Sequence, residues 1–257
     1  MVIDLTFLKQ IANVAAEQTL PRFRTIALVD NKYQTGFDPV TEADREAERA
    51  IRRLINAIFP EHGILGEEFG GENLDQSHIW VIDPIDGTRA FISGLPVWGT
   101  LAGLTINGDA VAGLMSQPFT GELFMCDGDV SWYEGPGGTR RLQTRKTNDL
   151  AEATLFTTTP ALFKGNQRAA YDGVEAKVRL ARYGADCYAY AMLASGFVDL
   201  VIETALHPYD IVALIPIIEK AGGVITTWDG GPAEKAGDIV AAATPALHAK
   251  ALDLLNR

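Results

Sequence analysis

The chain has 257 residues, 47% of them hydrophobic, and a formal net charge of −11. That length can bury a large core and fits one large domain or two intimate subdomains better than a string of modules. The acidic balance disfavours nucleic acid and anionic membrane as partners. No stretch approaches the ~20 apolar residues of a membrane span, and the mixed Met1–Gln10 segment has no secretory pattern.

In chain order, Asp4 to about Phe23 carries apolar residues at helical spacing (Leu5, Leu8, Ile11, Ala12, Ala15). A second helix is expected from about Glu42 to Ile58, with Thr41 and Asp44 as a capping-box-like start and Pro60 closing it. Strands follow at Ile79–Ile82, Gly99–Asn107, Ala110–Ser116 and Glu122–Cys126, and Asn107-Gly108 is a strong hairpin signal. The first half therefore predicts two helices on an antiparallel sheet. The glycine-rich run Glu134-Gly135-Pro136-Gly137-Gly138 lies near the join of the two halves.

The second half alternates. Strands are expected at Thr154–Thr158, Val178–Tyr183, Val198–Glu203, Val224–Thr227 and Ile239–Ala242. Helices are expected at Asn166–Lys177, Asp186–Ala194, Tyr209–Ala221 and Pro245–Leu255. This rhythm predicts an α/β class, α+β in the first half and α/β in the second. A soft boundary divides an N-terminal subdomain, 1–145, from a C-terminal one, 146–257. Cys126 and Cys187 form neither a disulfide framework nor a zinc pattern and are expected as reduced thiols of a cytoplasmic protein. The four histidines (His62, His78, His207, His248) lack metal-ligand spacing and are expected to be structural.

Four acidic clusters sit at element boundaries. In Trp80-Val81-Ile82-Asp83-Pro84-Ile85-Asp86-Gly87-Thr88 an apolar strand ends on two aspartates. Pro84 stiffens the turn, Gly87 allows close backbone approach, and the Gly87 and Thr88 amides can open a short helix toward a phosphate. The same residues also suit an ordinary strand-to-turn transition. Gly66-Glu67-Glu68 leaves a buried segment, although adjacent acids are commonly just solvated. Asp44 in Asp38-Pro39-Val40-Thr41-Glu42-Ala43-Asp44, and Asp210 after Leu206-His207-Pro208-Tyr209, each also suit a helix cap. Together the clusters point to hard oxygen ligands for magnesium, or manganese, rather than zinc.

At these motifs the chain resembles the inositol monophosphatase family of metal-dependent phosphatases, in order and over nearly its whole length. The resemblance implies a layered α/β/α/β/α sandwich and two to three Mg2+ ions, with Mn2+ a possible substitute. Glu67, Asp83 and the Ile85 carbonyl would hold one ion, and Asp83, Asp86 and Asp210 a second, with a looser third near Glu67. Asp44 and Thr88, helped by Glu67, would position a metal-activated water for in-line attack. Gly87 and Thr88 would hold the phosphate. A homodimer is also expected.

Within the family, Arg89-Ala90-Phe91-Ile92-Ser93-Gly94, Gly99-Thr100-Leu101 and Gly184-Ala185-Asp186-Cys187-Tyr188-Ala189-Tyr190 are similar to histidinol-phosphate phosphatases. The resemblance thus adds Asp86, Arg89, Gly184, Asp186 and Glu203 as substrate contacts. Asp186 and Glu203 would suit a cationic leaving group. Asp186 also suits a helix cap, Glu203 a surface salt bridge, and Arg89 an ion pair. The rival readings are an inositol-1-phosphate, sugar or nucleotide phosphatase, and a catalytically silent binding protein. An aspartyl-nucleophile phosphatase is disfavoured, since Asp83 and Asp86 stand three apart where that class spaces its acids by two.

Overall fold

The computed structural model describes residues 3–25, 29–31 and 39–257, so Asp38 of the first acidic motif lies outside the described residues. Helix α1 (Leu5–Thr19) starts at an Asp4 cap whose carboxylate accepts from the Thr6 N–H. It ends earlier than its periodicity suggests, because Pro21 enters a 3-10 turn over Leu20–Arg22. Strands β1 (Val29–Asn31) and β2 (Pro39–Thr41) pair antiparallel and lead into α2 (Glu42–Ile58), whose capping box joins Thr41 and Asp44 as expected.

A mixed eight-stranded sheet follows. It contains β3 (Gly63–Gly66), β4 (Gly70–Glu72), β5 (His78–Asp86), β6 (Gly99–Ile106), β7 (Asp109–Gln117), β8 (Glu122–Cys126), β9 (Ser131–Gly135) and β10 (Gly138–Arg141). Its order is β10-β9-β8-β7-β6-β5-β3-β4. A one-turn helix, α3 (Thr88–Ile92), leaves the end of β5. Asn107 and Gly108 both adopt positive φ, as the predicted hairpin requires.

One expectation is corrected here. The sheet is not wholly antiparallel: β4 lies on the outer edge, so the chain recrosses and β5 pairs parallel to β3. The glycine-rich run at 134–138 is the tip of the β9–β10 hairpin within this sheet.

The second sheet has the order β12-β11-β13-β15-β14. Its elements are β11 (Thr154–Thr157), α4 (Gly165–Glu175), β12 (Leu180–Tyr183), α5 (Asp186–Ala194), β13 (Leu200–Leu206), α6 (Pro208–Ile211), α7 (Leu214–Lys220), β14 (Val224–Thr227), β15 (Gly237–Ala242) and α8 (Pro245–Leu255). The single helix expected over Tyr209–Ala221 is divided into α6 and α7. Pro216 cannot donate to the Val212 carbonyl, and the break falls at Val212–Ala213.

Three of the four apolar cores among the described residues glue the layers. Alternate residues of the same strands point into different cores, the period-2 rule of strands covered on both faces. Ala102, Leu114 and Met125 meet α1 and α2, whereas Leu101, Met115 and Phe124 face α5 and α7. Val201, Ile239 and Ala241 close that central core from the second sheet, while Leu200, Ile202 and Val240 turn outward to α4 and α8. The result is a helix, sheet, helix, sheet, helix stack.

At one point the central layer touches the first sheet without side chains between them. Gly103 and Gly113 are cross-strand partners. A Cβ on Gly113 would fall 1.9 Å from the Ala213 carbonyl oxygen, and one on Gly103 would lie 2.7 Å from the Ala213 nitrogen. The backbone between α6 and α7 thus rests on the pleat where two side chains are missing.

Candidate metal centre

The site forms where β5 ends. Residues three apart on a regular strand face opposite sides, yet Asp83 and Asp86 are brought to one place. The reason is a bulge: Asp83 pairs with Leu101 and Asp86 with Gly99, so Pro84 and Ile85 together oppose Thr100. Thr100 Oγ1 donates to the Pro84 carbonyl at 2.8 Å, and the Ile85 N–H donates to Asp83 Oδ1 at 3.0 Å. The proline that interrupts the strand pattern is what puts both carboxylates on one face.

Asp210 comes from the other half. It is the third residue of α6, and its Oδ2 accepts from the His207 N–H at 2.7 Å. Carboxylate oxygens of Asp83, Asp86 and Asp210 all lie within 4.8 Å of one another. Burial pushes the Asp83 and Asp86 carboxyls well above their ordinary range. The nearby acids push them further, Glu67, Asp86 and Asp210 acting on Asp83, and Asp210 and Asp186 on Asp86. Three hard oxygen donors, crowded and mutually repelling, fit a divalent cation.

Glu67 stands beside Asp83, and its N–H donates to the Ile82 carbonyl at 3.2 Å. Asp44 is fully buried, accepting from the Thr41 N–H at 2.8 Å and the Thr41 hydroxyl at 2.5 Å. Burial raises its carboxyl to about 6 against those two bonds. The Thr88 hydroxyl lies 3.1 Å from the Ile85 carbonyl and 3.4 Å from Asp44 Oδ1. Gly87 caps α3 at φ 82°.

Glu67, Asp83, Ile85, Asp86, Gly87, Thr88 and Asp210 line a cavity of about 530 Å³. Thr158, Asp186, Tyr190 and Glu203 line it as well. Asp186 begins α5 with φ 44°, a left-handed conformation costly for a residue with a Cβ. Its Oδ2 would lie 2.9 Å from a Cβ at Gly87, so this carboxyl leans over the loop that ends β5. Burial raises it, while Thr158 and Arg89 oppose the rise. Glu203 is a buried acid of the site rather than a surface ion-pair member. Its carboxylate accepts from the Thr158 N–H at 2.5 Å, and burial raises it to about 8. Arg89 is exposed at the rim.

Gly184 is not part of the wall. It is an exposed turn residue at φ 79° whose N–H donates to the Thr157 carbonyl at 3.1 Å. Several lining residues escaped the sequence reading, Thr158, Tyr190 and His207 among them. Tyr190 is 3% exposed, and among the described residues its hydroxyl has no hydrogen-bond partner. It follows Asp186 by one helical turn, an i, i+4 relation that could have marked it. His207 lines the cavity and stacks on Tyr209.

The comparisons with known proteins agree with this geometry. The family model described as "Inositol monophosphatase family" matches residues 4–257. The chain is 43% identical over 232 residues to the bifunctional phosphatase IMPL2 of Arabidopsis thaliana, covering 86% of this chain and 66% of that protein. It is 33% identical over 236 residues to the histidinol-phosphatase of Chlorobaculum parvum, covering 90% and 88%. Among solved structures, an inositol monophosphatase from Zymomonas mobilis superposes with a TM-score of 0.87 at 38% identity, covering 98% of this chain and 97% of that one. The relatives' names differ on the substrate but agree on phosphate hydrolysis. The family match takes in both sheets and every acid of the cavity, and the chain belongs to the inositol monophosphatase family.

Proposed function

We propose that this phosphatase hydrolyses histidinol phosphate, with Mg2+ held by Glu67, Asp83, the Ile85 carbonyl, Asp86 and Asp210. The observation that carries the substrate is a second set of acids in the same cavity. Asp186 and Glu203 line it together with Tyr190, whose hydroxyl has no hydrogen-bond partner among the described residues. A leaving group with an ammonium and an imidazole matches two acids and a hydroxyl. A polyol would leave the acids without a countercharge.

In this reading the Gly87 and Thr88 amides bind phosphate oxygens, with Arg89 at the rim adding positive charge. The Thr88 hydroxyl donates to Asp44, and its lone pairs then accept from the attacking water, turning the water's own lone pair toward phosphorus. Divalent cations, when bound, neutralise the phosphate and make water more acidic. The chain's own contribution is to fix the donors before substrate arrives. Cytoplasmic location and a homodimer belong to the same reading, the latter checked by light scattering after size-exclusion chromatography. No described helix is long and apolar enough to cross a membrane.

The second reading is an inositol monophosphatase. It is favoured by the 38% identity to the Zymomonas mobilis enzyme. Magnesium-dependent phosphate release from L-histidinol phosphate, run beside myo-inositol 1-phosphate, separates the two. The expected result is a clear preference for histidinol phosphate, and Asp186→Ala should cost that substrate about tenfold more than the uncharged one, the scale of one charge-assisted contact. Preference for inositol phosphate, or equal loss on both substrates, would refute the substrate assignment and leave the metal site in place.

A further inference from the structure

Helix α2 carries a polar row that points inward. Asp44, Glu48 and Arg52 recur every four residues and share one face. Asp44 reaches Thr88, as described. Glu48 is fully buried, yet it is absent from the cavity wall. Its partners lie instead in the loop that carries Glu67. Glu48 Oε2 accepts from the Glu68 N–H at 2.7 Å, and Oε1 accepts from the Phe69 N–H at 3.3 Å and from Arg52 Nε at 2.8 Å.

Arg52 extends the clamp beyond the carboxylate. One terminal nitrogen donates to the Gly70 carbonyl, and the other lies 3.4 Å from Glu72. At the near end, a Cβ on Gly66 would fall 2.0 Å from Glu48 Oε1, so only a glycine there lets the loop close onto the carboxylate. Glu67 is therefore gripped on both sides. Its own N–H is tied to Ile82, next to Asp83, and the two following N–H groups are tied to α2.

A buried ion pair contributes little net stability against an apolar alternative. What this one does supply is a fixed direction for the loop. We propose that Glu48, clamped by Arg52, is a positioning residue that aims Glu67 at the metal centre and so sets the centre's cation affinity without touching it. This rests on the reading that Glu67 is a cation ligand.

The test is Mn2+ binding to the whole protein, followed by the electron paramagnetic resonance signal of free Mn2+, with thermal midpoints measured alongside. Glu48→Gln keeps the shape but turns an amide donor toward backbone N–H groups. Its Mn2+ affinity should fall about 10- to 100-fold, the range for an outer-shell partner. Arg52→Gln should fall in the same direction by less. A purely structural role would lower the thermal midpoint and leave Mn2+ affinity at the wild-type value, and that result overturns the inference. Should Glu48→Gln fail to fold, Arg52→Gln decides by the same criterion. Glu67→Gln separates the two levels. If it weakens Mn2+ binding while Glu48→Gln does not, the positioning role alone falls. If Glu67→Gln also binds as wild type, the ligand assignment falls with it.

Discussion

Two regions of this molecule draw carboxylates out of water and treat them in opposite ways. In the second sheet, Asp199 accepts from the Thr154 N–H at 2.8 Å and from Arg145 at 3.2 Å, and on α2 Glu48 has Arg52. At the end of β5, Asp83 and Asp86 have no ion pair among the described residues, and their charged neighbours are acids. Burying a carboxylate without a cation is costly. The first region has arginines of the chain beside its acids. The second has no cation beside them among the described residues, which is how a binding site differs from a structural ion pair.

The strongest way to sharpen that contrast is Asp86→Asn. Magnesium-dependent turnover should drop about 10²- to 10³-fold, the scale of removing one preorganised charge-stabilising group. The thermal midpoint in chelator should meanwhile rise, because the amide removes a repelled charge. Lower activity together with a lower midpoint would mean that Asp86 is structural after all.

The converse is Arg145→Met, which strands Asp199. Breaking a buried pair costs roughly 3–5 kcal/mol. Arg145 is 37% exposed, so solvent screening lowers the expectation to about 1–3 kcal/mol. Urea unfolding measures it, and turnover per folded molecule at saturating Mg2+ should not change. A loss of turnover without loss of stability would erase the distinction between the two regions.

The smallest effect is one of pH. Glu203 ordinarily titrates near 4.5 and is raised to about 8 in the fold, so between those values the folded chain holds a proton that the unfolded chain releases. Its contribution is present below 4.5 and lost as pH rises through 8. Asp83 and Asp86 act in the same direction. In chelator the thermal midpoint should therefore fall from acidic to mildly basic pH, and Glu203→Gln should flatten part of the slope. Mg2+ should restore the share due to the aspartates only. A midpoint that rises with pH would contradict the buried, uncompensated acids.

The acids that the fold gathers into the candidate metal centre were legible because each sits at an element boundary within a few residues of telling neighbours. Pro84 and Gly87 mark the end of β5, and Pro208 marks the start of α6. Glu48 was not legible. On an amphipathic helix an acid one turn from an arginine reads as a solvated pair, and only the tertiary fold brings a loop over it. Tyr190 reads as core for the same reason, since α5 is apolar nearly all round and gives no sign of which side meets a cavity. The break before Pro216 follows from proline chemistry alone. It was hidden because the apolar pattern runs through it without interruption.

The seat of Ala213 on Gly103 and Gly113 has a consequence for how this protein tolerates change. Most helix–sheet contacts are cushioned by side chains that can find another rotamer when a neighbour is replaced. Here peptide lies against peptide, just beyond the short helix that presents Asp210. Substitutions among the surrounding leucines and isoleucines can be absorbed locally and leave the spacing of the acids alone. A methyl group on Gly113 cannot, because the whole segment would have to lift. Two missing side chains, neither of them part of the cavity lining, act as the gauge that sets the gap between the two halves of the site.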